Sequence, residues 1–179
     1  MSQKRTHLVH LVTSAMLIAL GLLLPFLTGQ IPEIGNMLCP MHIPVLLAGF
    51  FCGPLFGAVV GVATPLLRSF LFGMPPLFPK ASAMAVELLV YGLCAGLLYL
   101  AFRKKRWSVY PSLVLAMLAG RAAWGLVSIL FYGMRDIPFG WAVFFTEAFV
   151  NAIPGIILQL ILIPLLVLTL EPIYRKIAR

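Results

Sequence analysis

Ser82-Ala-Met-Ala-Val-Glu-Leu-Leu-Val-Tyr-Gly-Leu-Cys-Ala-Gly-Leu-Leu-Tyr-Leu-Ala-Phe102 carries one charge, Glu87, and stops at the basic run Arg103-Lys-Lys-Arg106. As an α-helix this stretch rises about 30 Å, the thickness of a bilayer's hydrocarbon core. Similar apolar runs lie on both sides of it: 8–27, 42–53 and 54–72 before, 112–132 and 143–170 after. The second is short, and Gly53-Pro54 separates it from the third by a tight turn. Of the 179 residues, 62% are hydrophobic and 10% charged, with a mean hydropathy of +1.06. A soluble chain of this size could not hide so much apolar surface. Six spans would use about 120 residues. The expectation is an all-α polytopic protein, a single six-helix membrane domain over 1–179, with no room for a soluble ATPase or receptor domain.

The net charge of +8 does not point to nucleic acid, because the basic residues cluster beside apolar runs, where they set topology. Lys4 and Arg5 precede the first span, Arg103 to Arg106 fill the link between spans four and five, and Arg175, Lys176 and Arg179 end the sequence. With six spans all three clusters fall on one side. The rule that positive loops stay inside makes that side, and both termini, cytoplasmic. Loops 28–41, 73–81 and 133–142 then face outward; they are rich in Gly and Pro yet apolar, as lids over a cavity or interfacial turns are. The first run lacks an A-x-A cleavage site and is read as a retained helix rather than a signal peptide. Cys39, Cys52 and Cys94 form no CxxC or Cys/His spacing, so neither a metal nor any other cofactor is expected.

Four charges fall inside the expected spans: Arg68, Glu87, Arg121 and Glu147. Each is costly in lipid and should meet a partner or a wet cavity. By helical rise, Arg68, Glu87 and Glu147 lie roughly 6–8 Å from the outer ends of their helices, and Arg121 near the midplane. Two readings follow: structural salt bridges, or a polar cavity opening outward above an apolar inner half. Tyr91 follows Glu87 by four residues, Asn151 follows Glu147 by four, and Trp124 follows Arg121 by three, so each pair shares a helix face. Such faces suit an aromatic or heterocyclic solute with polar edges. His42 opens the second span and joins the candidate set. A faint repeat at an offset of 60 aligns Phe72-Gly-Met and Glu87 with Tyr132-Gly-Met and Glu147.

Small residues recur at four-residue spacing. Gly49–Gly53, Gly57–Gly61 and Gly92–Gly96 are read as internal helix packing, and Ala15–Ala19 as a face for a separate subunit. No G-x-x-x-x-G-K-[ST], H-E-x-x-H, G-x-S-x-G or S-x-x-K motif occurs, which argues against an enzyme and against ATP hydrolysis by this chain.

Together, Ala15-x-x-x-Ala19, Pro40-Met-His-Ile-Pro-Val-Leu-Leu-Ala-Gly49, Pro65-Leu-Leu-Arg-Ser-Phe-Leu-Phe-Gly-Met-Pro-Pro76 and Phe149-Val-Asn-Ala-Ile-Pro-Gly155 resemble the S component of energy-coupling factor (ECF) vitamin importers over nearly the whole sequence. The resemblance implies a prokaryotic plasma-membrane subunit, surrounded by lipid, that captures a vitamin-like small molecule from outside. It implies docking through Ala15 and Ala19 on a transmembrane coupling subunit driven by two cytoplasmic ATPases. It does not specify the vitamin. Two alternatives stay open on the residues alone: a stand-alone secondary transporter or facilitator, and a non-transport membrane protein whose charges serve structure.

Overall fold

A computed structural model describes residues 2–27, 37–102, 105–135 and 140–178. Residues 28–36 of the expected outward loop 28–41 and 136–139 of the expected loop 133–142, and Arg103, Lys104 and Arg179 of the basic clusters, lie outside the described residues. The helices are α1 (Ser2–Leu27), α2 (His42–Cys52), α3 (Pro54–Phe72), α4 (Ser82–Ala101), α5 (Val109–Gly133), α6 (Trp141–Phe145) and α7 (Ile153–Ala178). An irregular turn with Phe78 extended leads into α4, and a widened helical turn, Thr146–Val150, prolongs α6. No strand occurs among the described residues.

Among the described residues, five helices are long and apolar enough to cross a membrane: 3–27, 54–72, 77–101, 109–133 and 153–174. The expected second span is the exception. α2 has 11 residues, about 16 Å of helix, half a bilayer. Every one of its residues but Phe51 is buried among the other helices. It begins beside Glu87, inside the bundle, and ends beside Tyr174 near the end of α7. Irregular chain at membrane depth is tolerable only where protein covers it, and the residues just before α2, Cys39 and Met41, are themselves buried. The last expected span, 143–170, is also broken. Residues 141–150 form a short apolar segment, and a fresh helix starts at Ile153.

One end of the bundle gathers both ends of the chain. His7 and His10 on α1 meet the Phe56 ring at the start of α3, and His10 stacks on Tyr174. Nearby, the Tyr99 hydroxyl at the end of α4 donates to Glu171 on α7 at 2.6 Å.

Glycines set the helix spacing in the middle. A Cβ on Gly57 would stand 2.6 Å from the Gly92 carbonyl oxygen, and one on Gly49 2.5 Å from the same atom. A Cβ on Gly96 would stand 2.5 Å from the Pro54 nitrogen. The α2–α3–α4 contacts are therefore backbone against backbone, as the four-residue spacing predicts. α1 is different: Ala15, Met16 and Ala19 are exposed along one face.

Candidate functional site

The tight α3–α4 contact holds one face of α4, and the neighbouring face presents Glu87 and Tyr91 to α2 and α5. Glu87 is 2% exposed, and Oε1 is its working atom. Arg121 on α5 donates from Nη1 to that oxygen at 2.9 Å, and His42 Nε2 lies 3.3 Å from it. Arg121 Nη2 donates to Cys39 Sγ at 3.4 Å. The His42 ring meets the Tyr91 ring edge-on at 5.0 Å between centroids. A carboxylate with two donors at hydrogen-bond range is the arrangement a buried charge needs in a low-dielectric interior.

The centre is not fully satisfied. Arg121 Nε, the Tyr91 hydroxyl and His42 Nδ1 are buried without a hydrogen-bond partner. Beside them, between α5 and α7, lies a cavity of about 150 Å³. Tyr91 and Arg121 are the polar residues among those lining it, but nearly all of the surface it presents is apolar; Val114, Met117, Phe149, Ile156 and Leu160 belong to the rest. It extends from Arg121 toward the N-terminal half of α5, so it is mainly apolar rather than the polar outward cavity expected from the placement of charges.

Of the eight expected ligand-binding residues, the fold brings four together: His42, Glu87, Tyr91 and Arg121. Arg68 sits elsewhere, between α1 and α3. Its Nη1 donates to the Leu22 carbonyl at 2.8 Å, and its guanidinium lies 5.2 Å from the centre of the Phe26 ring and 5.5 Å from that of Phe72. Glu147 is exposed and accepts a hydrogen bond from Asn151 Nδ2 at 3.2 Å. Trp124 is half-buried and stacks on Phe144 at 6.1 Å. Phe144 fills the space left by Gly125 and belongs to an aromatic group with Trp141, Phe145 and Phe149. The faint repeat therefore ends at the site: Glu87 is in the centre, and its counterpart Glu147 is on the surface. Among the described residues only one of the two possible Arg–Glu pairs forms.

Sequence reading missed Cys39 as a partner of Arg121. Its backbone is left-handed, φ 47, an uncommon conformation for a residue other than Gly. Pro40, which follows directly, was the one local hint of a constrained chain. The apolar wall of the cavity had no signal, because its residues are ordinary for any buried helix face.

Comparison with known proteins bears on the whole chain. The model of the family described as the substrate-specific component of ECF transporters matches residues 9–167. No curated protein and no solved structure matches.

Proposed function

Since the chain belongs to the ECF transporter substrate-specific components, a family of transport subunits rather than enzymes, we propose that it captures a vitamin-like small molecule at the Glu87–Arg121 centre and delivers it to a separate ATP-driven module. The observation that carries this reading is the buried Glu87–Arg121 ion pair beside a cavity that Arg121 and Tyr91 help to line, with polar atoms of both residues left without a partner. An ion pair of purely structural purpose would use up its donors; buried donors without partners cost roughly 1–3 kcal/mol each until something accepts from them. His42 supports Glu87 from α2, and Tyr91 lies beside both.

In this reading the protein is one multi-pass domain in a prokaryotic plasma membrane. α2 and the buried residues before it complete a sixth crossing, and both termini are cytoplasmic. The gathering of His7, His10 and Tyr174 at one end of the bundle supports that topology. The exposed Ala15–Ala19 face of α1 is the docking surface for a transmembrane coupling subunit with two cytoplasmic ATPases.

Two results test this. Mass spectrometry of small molecules released from the purified protein should find a compound in the wild type and none in Arg121→Ala. Ala15→Trp and Ala19→Trp should abolish co-purification with the coupling subunit and leave that compound in place. Uptake that survives deletion of the coupling subunit, or a wild-type protein that releases nothing and takes up nothing, overturns the reading.

A further inference from the structure

One short turn serves both members of the ion pair, and its role deepens the capture reading above, on which it rests. The His42 N–H donates to the Cys39 carbonyl at 3.1 Å and closes the turn. Cys39 Sγ accepts from Arg121 Nη2 at 3.4 Å, and His42 Nε2 lies 3.3 Å from Glu87 Oε1. The turn therefore touches the cation at one end and the carboxylate at the other.

The guanidinium is planar, and an Arg–carboxylate pair often closes as a two-bond fork. Here the fork is shared: Nη1 donates to Glu87, and Nη2 turns to the thiol. A guanidinium held at Nη1 alone could swing about that one bond. Held at two nitrogens, by α4 and by the turn before α2, its plane is fixed. Arg121 is among the residues that line the cavity between α5 and α7, so that plane sets how its side chain meets the cavity.

Two further observations concern the turn itself. Cys39 is 7% exposed and left-handed, φ 47. A residue other than Gly keeps such a conformation where its surroundings over-determine it. The surroundings include α7. A Cβ on Gly155, in its first turn, would stand 2.6 Å from the Met37 carbonyl oxygen and 2.7 Å from that of Leu38. The chain entering the turn thus lies backbone against backbone on α7. We infer that Cys39 is a positioning residue for capture: seated on Gly155 through Met37 and Leu38, it fixes the plane of the Arg121 guanidinium while His42 holds the carboxylate.

Wild type, Cys39→Ala, Cys39→Ser and Cys39→Gly test this as full-length proteins with the ion pair intact. The compound that the wild type releases is quantified per protein by mass spectrometry. Cys39→Ala should retain about two- to tenfold less of it, the factor expected when a side chain must be ordered on binding. Ser keeps an acceptor at the same branch point and should retain most of it, a rescue that a merely space-filling role would not need. Gly suits the left-handed backbone and has no acceptor; it should stay folded and lose retention as Ala does, which keeps the test decisive if Ala disturbs the turn. A second measurement needs no bound compound. The infrared S–H stretching band of Cys39, assigned by its absence from Cys39→Ser, should shift in Glu87→Leu/Arg121→Met, where the donor is gone. Wild-type retention in Cys39→Ala or Cys39→Gly, no rescue by Ser, or an unmoved S–H band overturns the positioning role and leaves capture standing. A wild type that releases nothing overturns capture, and the positioning role falls with it.

Discussion

Gly92→Leu is expected to leave little folded protein in the membrane, the largest effect of any single substitution in the bundle. The reason is geometric. A side chain at 92 meets the Gly57 carbonyl and Cα, and position 57 faces the Gly92 carbonyl in return. A flexible side chain could rotate away from an added methyl group, but a helix backbone cannot. Overpacking costs about 1–3 kcal/mol where side chains can adjust, and here α3 and α4 must separate along their whole contact. Gly61 lies against the Leu88 backbone and Gly96 against Pro54, so separation at one point strains the others. Graded variants make the test sharp. Gly133 has open space around it, and Gly133→Ala should keep the wild-type Tm. Gly92→Ala should lower it, and Gly92→Leu should lower it further, by on the order of 10 °C or beyond recovery of folded material. Detergent-solubilised protein followed by size exclusion during heating reads both. Equal Tm values for the three variants would refute backbone contact as the organiser of the fold.

The second large effect is a coupling rather than a single loss. Glu87→Leu should destabilise the protein by about 3–5 kcal/mol, because it leaves the Arg121 cation buried without its carboxylate. Arg121→Met should cost a similar amount by orphaning Glu87. The double variant Glu87→Leu/Arg121→Met should regain most of the stability, since an apolar pair of similar volume replaces a desolvated ion pair at little net cost. Thermal unfolding of the four proteins forms a double-mutant cycle, and strong non-additivity is the expected sign. Solute retention should follow a different pattern. It should fail in both single variants and stay lost in the stable double variant. A double variant that is stable and still retains solute would separate the ion pair from capture altogether.

Much of the architecture can be read along the chain, for a simple reason. Hydrocarbon cannot satisfy backbone N–H and C=O groups, so each long apolar run must be a helix. Runs 54–72 and 82–102 come within a residue of α3 and α4. The glycine pairs were legible as packing surfaces because a missing Cβ has one strong consequence, close helix approach. Length misled in two places. The second run yields only half a span of helix, and the last breaks near Asn151, just before Pro154-Gly155, a pair that marks the joint and that the reading of one continuous apolar run passed over.

The site was half legible. Charge in a span demands a partner, and that argument singled out Glu87 and Arg121 from composition and depth alone. It singled out Arg68 and Glu147 equally, and the fold treats them differently. Arg68 found a carbonyl and two rings on the far side of α3, and Glu147 stayed at the surface with Asn151. The sequence by itself determined that this is a multi-helix membrane protein and that its few buried charges must be accounted for, because transfer into lipid is costly wherever a charge sits. Only the tertiary structure decided which charge meets which, that His42 and Cys39 join them, and that an apolar cavity stands beside their spare donors. Those depend on the rotation and spacing of helices packed on glycine backbone, and neither is encoded in the hydropathy of any one segment.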